Sequence, residues 1–375
     1  MSADAADSDL TRLVRPHLRG VEPYTTARSS HTGGLLLDAN ENRLGTLVPE
    51  LGEDLHQYPD PRTPELRNAL ADRLGVPGER LWIGNGSDEG IDVLLRALVD
   101  PGDAVAVVEP TYGVYRTRAR THGASVRRAL LDAELRLDVE AAAEAAEEAK
   151  LLFLCSPNNP TGSRLSRQGI LELADRVDAL VVADEAYVEY AGGPSLAGEV
   201  RADRNLAVLR TFSKAWGLAG ARLGYLVAPD PLVPYLDLAG LPYPVSTLSA
   251  RAAVRSLERA AEMEDRAETV RRERERVAGR LREMGLRVLP SEANFLLFFV
   301  SEPDRVQRRM ADEEDVVIRN RSGLPRLDGA LRVTVGRREE NDRFLGALER
   351  SLADPDGEPP GDAAPGSGGT GGGRP

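Results

Sequence analysis

Between about residue 64 and residue 210 the chain repeats one unit, a short uninterrupted apolar run followed by a stretch with helix signals. The runs are "LWIG", "AVAVV", "LLFLC", "ALVVAD" and "LAVLR". A strand with one wet face alternates apolar and polar residues; these do not, so they read as strands covered on both faces. Between them, "TPELRNALADRLG" offers Thr63 as N-cap and Pro64 at the first helical position, and further helices open at Ser87, after Pro110 and after Leu165. Such alternation predicts an α/β fold, a doubly wound and mostly parallel sheet whose ligands lie at the carboxyl ends of the strands.

The pattern changes after about residue 248. A charged helical region, roughly Leu248 to Met284 and including "RRERERVAGRLREMG", reads as a solvated helix face and as the passage between two domains. Beyond it, "LRVLP", "NFLLFFV", "DVVIRN" and "ALRVTVG" read as strands interleaved with helices in a smaller α/β domain. The final "DPDGEPPGDAAPGSGGTGGGRP" cannot build a core and reads as a disordered tail. The expected divisions are an N-terminal segment 1–55, a large domain 56–265, a small domain 266–354 and the tail 355–375.

Composition narrows the function classes. A net charge of −12 argues against a general nucleic-acid binder. No window approaches the roughly 18 consecutive apolar residues of a membrane span. The opening "MSADAADSDL" lacks the basic start and apolar core of a secretory signal, so a cytoplasmic location is expected. The single cysteine, Cys155, rules out an intrachain disulfide and reads as packing. His17, His31, His56 and His122 are scattered without metal-ligand spacing, and no metal is expected. Small molecules or further subunits are the natural partners.

The distinctive polar residues fall just after the apolar runs. In "LWIGNGSDEG", Gly86, Ser87 and Asp88 stand between a strand and a helix, where backbone N–H groups can hold a phosphate. A dinucleotide fingerprint fails there, because Ser87, Asp88 and Glu89 follow the G-x-G. "SPNNPTG" brings Asn158, Asn159 and Pro160, and "VVADEAYVEY" brings Asp184 and Tyr187. A carboxylate ending so apolar a strand is costly without a partner. "RTFSKAWGLAGARLGY" then supplies Ser213, Lys214 and Arg222. The chain has only two lysines, Lys150 and Lys214, against forty-six arginines. Lys150 closes an Ala/Glu-rich helical run, where a cation is ordinary. Lys214 lies in a loop-like context and can lose its proton and attack a carbonyl, which arginine cannot. Phosphate donors, an imine-forming lysine, an acid able to hold a pyridinium proton and Asn/Tyr donors for a phenolic oxygen are the inventory of a pyridoxal 5'-phosphate site.

The segments "VEPYTTAR", "LDANEN", "YPDP", "GNGSDEGIDVLLRA", "PTYGVY", "SPNNPTG", "ADEAYVEY", "RTFSKAWGLAGARLGY", "ANFLLF" and "LRVTVGRREEN" run in order from about Leu13 to about Leu352. In them the chain resembles the fold-type I pyridoxal phosphate aminotransferases and, among these, the histidinol-phosphate aminotransferase family. The resemblance implies that Lys214 bonds covalently to the cofactor and moves the substrate proton, with Asp184 on the pyridine nitrogen. It implies that Asn159 and Tyr187 hold the ring oxygen, that Tyr112 stacks on the ring, and that Gly86, Ser87, Asp88, Ser213 and Arg222 surround the cofactor phosphate. Lys214, Asp184 and Tyr187 are the expected catalytic residues. Tyr58 of "YPDP" would reach the site of a neighbouring subunit in a homodimer, and the N-terminal segment would join the smaller domain. Tyr24, Asn159, Arg319 and Arg332 would bind substrate. The implied reaction is transamination of L-histidinol phosphate with 2-oxoglutarate; the alternatives are aromatic amino acids or another phosphate-bearing amine as donor, or a threonine-phosphate decarboxylase-like reaction. Arg43 after "NEN" and Arg337 after "VTVG" depart from the family pattern, and the first, near a segment expected to line the active-site entrance, bears on substrate choice.

Overall fold

The computed structural model of the chain describes residues 9–22, 26 and 39–353. Tyr24 and the C-terminal tail lie outside the described residues. The apolar runs form strands β1 (Leu81–Gly84), β2 (Ala104–Glu109), β4 (Ala149–Cys155), β5 (Leu180–Asp184) and β6 (Leu206–Thr211). β3 (Ser125–Leu130) and β7 (Gly224–Val227) complete a seven-stranded sheet in the order β1-β7-β6-β5-β4-β2-β3. Neighbours pair parallel from β6 through to β3, and β7 runs antiparallel to both β1 and β6. Its helices are α1 (Pro64–Leu74), α2 (Ser87–Leu98), α3 (Val114–Thr121), α4 (Val139–Ala146), α5 (Arg167–Arg176) and α6 (Val233–Ala239).

Successive residues of a strand point to opposite faces, and here each face meets its own apolar layer. Leu152, Leu154, Val181 and Ala183 enter one cluster. Phe153, Cys155, Leu180 and Val182 enter the other, with Tyr115 of α3 and Leu94 of α2. Both faces are therefore dry, as the unbroken runs require.

Helices α7 (Thr247–Leu257) and α8 (Ala260–Glu283) lead to a second, fully antiparallel sheet, in the order β10-β11-β9-β8. Its strands are β8 (Arg287–Val288), β9 (Phe295–Phe299), β10 (Arg319–Asn320) and β11 (Ala330–Thr334), with α9 (Pro303–Asp312) and α10 (Arg338–Leu352) packed on one side.

Four local readings change. Thr63 precedes α1 with Pro64 at its first turn, but Thr63 sits at φ 42° and its side chain makes no capping bond. The charged region from Leu248 is two helices, and it is not solvated throughout, because the buried Arg274 guanidinium donates to the carbonyls of Tyr190 and Ala293. Lys150 is no helix terminus; α4 ends at Ala146 and Lys150 is the second residue of β4. The described start of the chain also differs from the expected small-domain placement. Leu10, Leu13 and Val14 bury with Trp82 and Leu98 on the large sheet, where the Arg15 backbone N–H donates to Ala97 O and its guanidinium to Asp100.

Candidate active site

The carboxyl ends of β4, β5 and β6 lie side by side, Cys155 in register with Asp184 and Asp184 with Leu209. The segments that leave them converge on a cavity of about 260 Å³, the place a doubly wound sheet reserves for a ligand. Ser87, Asp88, Tyr112, Asn159, Asp184 and Tyr187 line it, as do Ser213, Lys214, Arg222 and Arg332. A larger, shallower depression of about 810 Å³ between α4 and α5 is walled by Asp, Glu and Ala with Arg176 and offers no nucleophile.

Asp184 lies at the bottom, 4% exposed. Its Oδ1 accepts from the Ala186 backbone N–H at 3.0 Å, and its Oδ2 accepts from the Tyr115 hydroxyl at 2.5 Å. Burial pushes its carboxyl up to about 6, against these two donors and the Lys214 charge. Nothing in the sequence assigns Tyr115 a part in the site. It belongs to "PTYGVY", and its place three residues after Tyr112, in the first turn of α3, is the available signal.

Lys214 follows β6 in a loop pinned at several points. Thr211 Oγ1 accepts from the Ser213 N–H and donates to Ser213 Oγ, while Gly217 N–H donates to Lys214 O. Trp216 Nε1 donates to Glu189, which is ion-paired to the buried Arg210 at 2.7 Å. No carboxylate among the described residues reaches ion-pair distance of Lys214. Its ammonium is therefore lowered, by burial first and by the Arg332 charge second. Its Nζ stands 5.5 Å from the centre of the Tyr187 ring. Tyr187 is buried, which raises its phenol, and meets Phe295 edge-on. Cys155 reaches the cavity wall, but burial raises its thiol, which donates to Pro157 O at 3.3 Å; packing is its role.

The loop before α2 passes under Arg222. Gly86 has φ +95°, and a Cβ there would stand 2.8 Å from Arg222 Nη2; at Gly224 of β7 it would stand 2.4 Å from the Ser87 nitrogen. The start of α2, Ser213 and Arg222 thus converge on one end of the cavity, suited to an anion. Asp88 is held there, accepting from the Tyr112 hydroxyl at 3.1 Å and from Arg222 at 3.4 Å.

Two arginines, Arg332 of β11 and Arg321 just after β10, close the other side. Arg332 donates to Asn159 Oδ1, so the turn after β4 and the second sheet are joined at the cavity. The second cation on the wall is Arg321, not Arg319. Arg319 is exposed and lines, with Arg332, an adjoining cavity of about 470 Å³. Tyr58 is likewise outside this cavity, half exposed and stacked on Tyr243 at 4.5 Å. Neither Arg43 nor Arg337 lines it; the Arg337 backbone N–H donates to Glu340 at the start of α10.

A model of the class I and II aminotransferases matches residues 34–348. The chain belongs to that family. The aminotransferase is 42% identical over 366 residues to a histidinol-phosphate aminotransferase of Stenotrophomonas maltophilia, covering 94% of this chain and 100% of that one. To the histidinol-phosphate aminotransferase of Parabacteroides distasonis it is 38% identical over 347 residues, covering 91% and 98%. The crystal structure of a Sinorhizobium meliloti histidinol-phosphate aminotransferase with pyridoxal-5'-phosphate matches with TM-score 0.76 at 25% identity, covering 90% of this chain and 97% of that one. Pyridoxal 5'-phosphate is the cofactor of this aminotransferase, and its residues fit the group. A phosphate cradle without a Cβ at Gly86, a half-buried lysine with no carboxylate partner among the described residues and a buried acid facing the cavity meet its three polar ends.

Proposed function

We propose that the enzyme transfers the amino group of L-histidinol phosphate to 2-oxoglutarate, giving imidazole acetol phosphate and glutamate, as a step of histidine biosynthesis. One observation carries the choice of a phosphorylated amine. Arg321 and Arg332 share the cavity wall, and the Arg321 Nε is buried with no hydrogen-bond partner among the described residues. Burial and the mutual repulsion of the two guanidiniums lower Arg321. A dianion between them removes both costs. The names of the relatives support the same choice.

Bound, the cofactor supplies an aldehyde for covalent capture of the amine and a ring that takes up an electron pair. The chain does the rest. Lys214, whose ammonium burial lowers, is the amine for capture and the base for the substrate proton. Asp184 holds a proton at the ring nitrogen. Asn159, its carbonyl taken by Arg332, turns its amide N–H to the ring oxygen, beside the Tyr187 hydroxyl. Gly86, Ser87, Asp88, Ser213 and Arg222 enclose the cofactor phosphate, and Tyr112 covers the ring. Arg332 and Arg321 hold the substrate phosphate, with Arg319 adding charge from the adjoining cavity. The reading also takes the enzyme as a cytoplasmic homodimer. The half-exposed Tyr58 would complete a neighbour's site, and no helix of the described residues is long and apolar enough to cross a membrane.

Adding L-histidinol phosphate to cofactor-loaded enzyme bleaches the absorbance of the lysine-bound cofactor, and 2-oxoglutarate restores it. In Arg321→Met the KM for L-histidinol phosphate rises about tenfold or more, while dephosphorylated histidinol reacts as with the wild type. Absence of bleaching by L-histidinol phosphate overturns the reading.

A further inference from the structure

We propose that Tyr115 is a positioning residue for the cofactor, acting through Asp184: its hydroxyl fixes the carboxylate that meets the ring nitrogen and keeps it charged. The geometry carries this. Asp184 is buried and faces the cavity, so each donor it receives counts for more than one at the surface. One oxygen is held by the Ala186 N–H, which any residue at 186 other than proline would supply. The other is held by Tyr115, whose hydroxyl stands 2.5 Å away.

Tyr115 is itself placed with little freedom. It is fully buried, its ring stacked on Phe153 at 4.8 Å with a 3° interplanar angle and edge-on to Tyr112 at 5.5 Å. Phe153 and Asp184 lie on adjacent parallel strands and face the same layer, so the stack on Phe153 sets the height of the hydroxyl above β5. Tyr115 belongs to an apolar cluster with Val107, Leu151, Phe153 and Val182, in which the Cys155 thiol is the other polar group beside its hydroxyl. A phenylalanine would fill it without burying a hydroxyl, so packing alone gives no reason for the oxygen. With the carboxylate pinned at both oxygens, its orientation is set before the cofactor arrives. The donor stabilises the charged form, and a charged Asp184 leaves the shared proton on the ring nitrogen rather than on itself.

The role is tested on cofactor affinity, measured without substrate, so the result is independent of which amine the enzyme uses. Tyr115→Phe keeps the ring and its stacking. Its affinity for pyridoxal 5'-phosphate falls about tenfold or more. Its affinity for 1-deazapyridoxal 5'-phosphate, whose ring carries C–H in place of the nitrogen, stays at the wild-type level. Lys214 and the phosphate cradle bind both compounds alike, so the difference isolates the ring nitrogen. In an Asp184→Ala background the same Tyr115→Phe change leaves pyridoxal 5'-phosphate affinity unaltered. Equal loss for both compounds, loss persisting without Asp184, or no loss at all would each overturn the proposal. With substrate, kcat falls by a similar factor while KM holds, since Tyr115 does not line the cavity that admits the amine.

Discussion

Asp184 carries its charge where burial outweighs the two donors that hold it, and that sets how the cofactor-free protein responds to pH. Its neighbours are Tyr115 and the Ala186 N–H in contact, with Lys214, Asp88 and Cys155 near enough to act through charge. The net result is a carboxyl raised from 3.8 to about 6. A raised acid contributes nothing unfavourable below its unfolded value and costs stability as pH rises through its folded value. The cost reaches about 3 kcal/mol above pH 6. Cofactor-free Asp184→Asn should therefore exceed cofactor-free wild type in stability at pH 8, with the gain fading toward pH 4. Urea unfolding across that range checks it, and a gain that does not depend on pH counts against it. At this scale the sequence was informative wherever chemistry demands a residue type, as at Lys214, Asp184 and Arg332. It was silent where geometry chooses between candidates. Arg319 and Arg321 are two residues apart, yet Arg319 lies in β10 and lines the adjoining cavity, whereas Arg321 follows the strand and lines this one.

The strands that carry the site declared themselves because burial on both faces leaves no polar residue in β4 or β5 except Lys150 at the edge of the run and Asp184 at its end. β3 did not, because an edge strand pairs on one side only, and "SVRRAL" has a single buried residue and carries two arginines. β7 was hidden inside "ARLGYLV", although its position is the most demanding. It runs against the start of α2, and Gly224 lets the two backbones meet. Gly224→Ala should cost about 1–3 kcal/mol through overpacking and weaken cofactor binding at the same time, because the Ser87 N–H moves. Gly113→Ala, at φ −64° with open space around it, should leave both unchanged. Thermal melts and cofactor titration of the pair test this; a Gly224→Ala protein with normal cofactor affinity would separate β7 from the cradle.

At the scale of the molecule, the second sheet has two kinds of face. Leu296, Phe298, Leu331 and Val333 build its own cluster with α8, α9 and α10. Phe295, Leu297 and Ala330 belong instead to the cluster under the large sheet, with Val208 and Leu206. The two domains anticipated from the change of pattern near residue 248 are thus welded through a common core. The sequence carried only half of this: the unbroken apolar run of β9, Phe295–Phe299, calls for cover on both faces, but it does not say that the second cover is the core of the large sheet. Small-angle scattering of the loaded enzyme with and without substrate should give superimposable curves, and a contraction on binding would contradict the weld. Prying the sheets apart would expose Phe295 and Leu297 at about 2–3 kcal/mol each, while at the surface Leu44 and Leu47 already stand almost fully in solvent. The distance from Lys214 to the Arg321–Arg332 pair is then not adjustable. It acts as a gauge of fixed length, by which the enzyme measures how far an anion lies from an amine.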